Sequence, residues 1–60
     1  SMKFYVVVDS TGYPVVAGEE KLARILNQGP EIDVAGAYAS YDAAMDAVVE
    51  MRQSRAAVEA

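Results

Sequence analysis

Asp42, Asp46 and Glu50 are the first residues to weigh for chemistry, because they recur every four positions. On a helix that spacing sets three carboxylates along one face. Such a row can offer oxygens to a hard cation, or form an acidic ridge that docks against a basic partner. A hard cation takes about six oxygen ligands, which one helix face cannot supply alone. The plain alternative is the solvated back of an amphipathic helix, where like charges at this spacing cost only a few tenths of a kcal/mol per pair. The solvated face ranks first, the docking ridge second and a metal site last.

Four tyrosines make a second constellation: Tyr5, Tyr13, Tyr38 and Tyr41. Tyrosine suits interfaces because it joins a large apolar body to a polar tip. Tyr41 falls on an apolar helix stripe and is expected in the core. Tyr5 and Val7 share one side of an apolar strand and are the candidates for a docking surface.

Catalysis has little to draw on. The chain contains no histidine and no cysteine, which removes the usual base near neutral pH, thiolate nucleophiles and zinc sites. Ser10 and Ser40 read as a turn residue and a helix cap, and no motif brings Lys3 or Lys21 to either. The glycines form neither a G-x-G-x-x-G nor a P-loop. The expectation is a protein that is not an enzyme and needs no cofactor or metal.

The elements that position these residues follow from pattern. Lys3 to Val8 is a β-branched and aromatic run, apolar on both sides, and so a central strand. Asp9 to Gly12 is a turn cluster. Tyr13 to Ala17 is a shorter strand that Pro14 confines to a sheet edge. Glu19 to Gln28 is a helix with Leu22, Ile25 and Leu26 as its apolar stripe, stopped by Gly29 and Pro30. Ile32 to Ala39 is the third strand, with Ala35, Ala37 and Ala39 on one side and Ile32, Val34, Gly36 and Tyr38 on the other. Gly36 there signals a bulge or a close backbone approach. Ser40 caps the final helix, whose stripe is Tyr41, Ala44, Met45, Val48 and Met51. Arg52 and Arg55 complement the negative end of that helix, and residues 56–60 are expected to fray.

These elements make one α+β domain over residues 2–60, in the order ββαβα, with Ser1 read as a tag remnant. A right-handed crossover makes the third strand parallel to the second. The expected sheet is three-stranded and mainly antiparallel, in the order 2-1-3, with two helices on one face. Tyr5 and Val7 would then lie on the bare face.

Sixty residues with 53% hydrophobic content, much of it alanine, bury a thin core, so stability should be marginal without a partner surface. The net charge of −4 and only five basic residues argue against nucleic acid, whose phosphates are met by lysine and arginine. No apolar run reaches the roughly 18 residues of a membrane span. With no secretion signal and no cysteine, a cytoplasmic setting is expected.

Two stretches, M-K-F-Y-V-V-V-D with G-Y-P-V-V, and G-A-Y-A-S-Y-D-A-A-M-D-A-V, partly resemble the N-terminal domain of HicB-type antitoxins. There a hairpin and a further strand enter a helix through a Thr or Ser cap, matched here by Ser40, and a Glu-Ala pair, of which Ala44 matches the alanine and Ala43 replaces the glutamate. The helix Glu19 to Gln28 has no counterpart, and the Pro-Asp-Leu-Pro-Gly signature and a C-terminal DNA-binding segment are absent. The resemblance implies a small protein that neutralises a protein or RNA-acting partner. The functional expectation is a non-catalytic protein-interaction module acting as a homodimer; the alternative is an acidic, antitoxin-like or phage-type inhibitor that blocks a basic partner.

Overall fold

The computed structural model describes residues 2–29 and 31–59. It places β1 (Phe4–Asp9), β2 (Pro14–Gly18), α1 (Glu19–Gln28), β3 (Ile32–Tyr38) and α2 (Tyr41–Glu59) in the expected ββαβα order. Ser1, Pro30 and Ala60, and with them the tag remnant, the proline stop and the end of the tail, lie outside the described residues. One sheet forms in the order β2-β1-β3, with β1 antiparallel to both neighbours. β1 takes the centre because both of its sides are apolar and need cover.

The β1–β2 turn closes locally. Gly12 takes φ 82° and its amide donates to the Asp9 carbonyl at 2.9 Å, a conformation that glycine adopts without strain. The Thr11 amide and hydroxyl both donate to the Asp9 carboxylate. Gly29 ends α1 in the left-handed region at φ 83°, its amide donating to the Leu26 carbonyl.

The expected placement of both helices on one face is corrected by burial. α2 covers the side of Phe4 and Val6: Val6, Ala44 and Val48 are fully buried together, with Phe4, Val16, Tyr38, Ala47 and Met51 packed around them. Side chains alternate along a strand, so Tyr5 and Val7, with their partners Ala17 and Val15, point the other way. Yet Val7 and Ala17 are only 2% and 1% exposed. α1 packs on β2 and β1, the strands whose first face α2 already occupies, so α1 covers the second face.

β3 carries a bulge that reassigns its faces. Val6 lies opposite Gly36 but Val7 lies opposite Val34, leaving Ala35 as the extra residue. Ile32, Val34 and Ala37 therefore share the α1 side, and Asp33, Gly36 and Tyr38 the α2 side, which corrects the strict alternation expected from sequence. Gly36 stands next to the bulge and is approached by a side chain, not by backbone. A Cβ there would lie 2.9 Å from the Tyr38 hydroxyl oxygen and 3.0 Å from its ring, so the glycine makes room for the tyrosine.

Ser40 caps α2, its Oγ accepting the Ala43 amide at 3.0 Å. The helix runs to Glu59 and keeps its form past Arg55, where the sequence pattern fades. Arg52 lies with its guanidinium 4.5 Å from the Tyr13 ring centre and donates to the Pro14 carbonyl at 3.2 Å. Arg55 passes over Gly12. Both arginines thus face the β1–β2 hairpin rather than a helix end. Tyr41, expected in the core, is 53% exposed and touches Phe4 edge-on at 5.9 Å.

Candidate interaction surfaces

Asp42, Asp46 and Glu50 are all exposed, one behind another along the solvent side of α2. Val48 and Ala44 hold the opposite side of the helix in the core, so the geometry that buries the stripe also presents the carboxylates. Glu50 also lines an open cleft of about 480 Å³ between α2 and β3, with Tyr38, Ala47, Met51 and Ser54. Ser54 carries no sequence signal that would single it out. Among the described residues no group of three or more acidic, histidine or cysteine side chains is arranged to hold a metal ion.

The bare face expected at Tyr5 and Val7 is not there. Val7 is core of the second face, and Tyr5 is half-buried beside it. α1, which packs on β2 and β1, accounts for that cover.

α1 covers that face incompletely. None of its residues is fully buried, and its main packing is on β2 and β1. Leu26 is 55% exposed and lines a shallow cleft with Ile32. Val34, on the same side of β3 as Ile32, is 48% exposed, and Ala37 beyond it is exposed too. The incompletely covered apolar row is therefore Leu26, Val34 and Ala37, with the half-buried Ile32 among them. Sequence pattern hides it, because the bulge is what turns Ile32 and Val34 to this side.

The Asp9 carboxyl has a displaced pKa. The Thr11 hydroxyl, and then the Thr11 amide, hold the Asp9 carboxyl below its ordinary value by donating to the ionised form. Asp9 is part of the turn and not of any surface above.

No family model, curated protein or solved structure matches this chain. No helix among the described residues is long and apolar enough to cross a membrane.

Proposed function

We propose that this chain is a non-catalytic protein-interaction module that works as a homodimer. The observation that carries the proposal is the incompletely covered row of Leu26, Val34 and Ala37, with half-buried Ile32, beside a very small core. The buried hydrophobic residues are Val6, Val7, Ala17, Ala44 and Val48, and the largest fully buried side chains are valines. Burying a valine or leucine contributes about 1.5–3 kcal/mol. Contact of that row with the row of a second copy adds to what the isolated core supplies. The lack of cysteine supports placing the protein in the cytosol.

A second reading rests on the exposed line of Asp42, Asp46 and Glu50. It makes the protein an acidic inhibitor that masks a basic site on another protein. Salt separates the two readings, because exposed ion pairs are screened and apolar contact is not.

Sedimentation velocity at micromolar to tens of micromolar protein should report a dimer, held or tightened as salt rises. A monomer throughout that range would overturn the homodimer.

A further inference from the structure

We infer that the homodimer forms edge to edge: two copies of β3 pair antiparallel about a two-fold axis, with Val34 of one copy opposite Ala37 of the other. This rests on the homodimer proposed above and specifies its interface. The sheet has two edges, and they differ. β2 begins at Pro14, which has no amide to donate, and its carbonyl is already taken by Arg52. β3 runs Ile32–Tyr38 without proline, and among the described residues it pairs with β1 alone. Its outer row of backbone donors and acceptors is the standard template for strand addition. Val34, Ala35 and Ala37 are exposed along it, and their small side chains let a second backbone approach.

The bulge and the charge select the register. Full overlap of the two strands would set Ile32 opposite Tyr38, and these residues lie on different faces. Slipping by one residue sets Val34 opposite Ala37 and Asp33 opposite Tyr38, all on matching faces. The bulge residue Ala35 then meets Gly36, where little side chain must be accommodated. Asp33 is the only charge within β3. In this register the two Asp33 carboxylates lie five residues apart along the strands, roughly 17 Å at about 3.4 Å per residue, beyond the screening length of about 8–10 Å. A parallel in-register pair would put them side by side at about 4.8 Å. For a chain of net charge −4, that selects the antiparallel arrangement of a second copy. The two Val34–Ala37 contacts also join the apolar row of one copy to that of the other.

The chain has no cysteine, so introduced thiols report the register directly. Val34→Cys with Ala37→Cys in one chain should give a reducible covalent dimer under mild oxidation. Each single variant should give at least tenfold less, because like positions lie three residues apart, about 10 Å, against the roughly 4 Å that a disulfide spans between Cβ atoms. Equal cross-linking by the single variants would overturn the antiparallel register. A dimeric wild type whose double variant does not cross-link would overturn edge pairing and leave the homodimer standing, whereas a monomeric wild type would overturn both. Hydrogen exchange on the wild type needs no variant: β3 amides should exchange more slowly as protein concentration rises, and a rate independent of concentration would also overturn edge pairing.

Discussion

Ser40 accepts the Ala43 amide at the start of α2, so Ser40→Ala should cost roughly 1 kcal/mol. In a domain of this size that lowers the melting midpoint by about 4–8 °C, and an unchanged thermal melt would remove Ser40 from the cap. Asp9 offers a pH test. Its carboxyl is held below the ordinary value by the Thr11 hydroxyl first and the Thr11 amide second. A folded-state pKa below the unfolded one contributes stability that is present above about pH 4 and lost as pH falls through the folded value. Melts of Asp9→Asn should therefore lose less stability than wild type between about pH 5 and pH 2, and parallel profiles would contradict this. Ser40, Gly12 and Gly29 were legible in the sequence because caps and turns are decided within three or four residues. Arg52 and Tyr41 were not, because their partners, Pro14 and Phe4, lie far away in the chain.

At the scale of elements, each strand and helix was readable to within a residue or two at most boundaries, since period and punctuation are local. The C-terminal extension of α2 was not, because Arg52 and Arg55 meet the β1–β2 hairpin there. The bulge at Ala35 was equally hidden, since Gly36 announces an irregularity without saying which residues change face. The side taken by α1 differs from expectation for a related reason. A strand apolar on both faces calls for cover on both, and Val7 and Ala17 show that it receives it. Two pairs of variants test the layers. Val48→Asp should unfold the domain, because an unpaired carboxylate would enter the core, while Asp46→Ala should stay folded because Asp46 is exposed. Val7→Asp should unfold it as severely as Val48→Asp. A native-like circular dichroism spectrum and melt for Val7→Asp would mean that α1 does not cover that face.

For the whole molecule, the decisive quantity is how little the single chain buries. α1 contributes no fully buried residue, and the core on the α2 side closes around two valines and an alanine. The acidic line on α2 was legible in the sequence as a pattern, but its use depends on a partner that neither pattern nor fold names. Self-association has a thermodynamic signature that does not depend on knowing the interface. If the dimer completes the core, folding and association are linked, and the melting midpoint must rise with protein concentration. A hundredfold increase in concentration corresponds to about 2.7 kcal/mol per dimer. For a chain this short, that is an upward shift of several degrees. Thermal melts from about 1 to about 100 μM, spanning the micromolar range of modest protein pairs, are the most direct measurement. A midpoint that climbs by several degrees across that range is the predicted result, and a midpoint independent of concentration, with a monomer mass throughout, would contradict it.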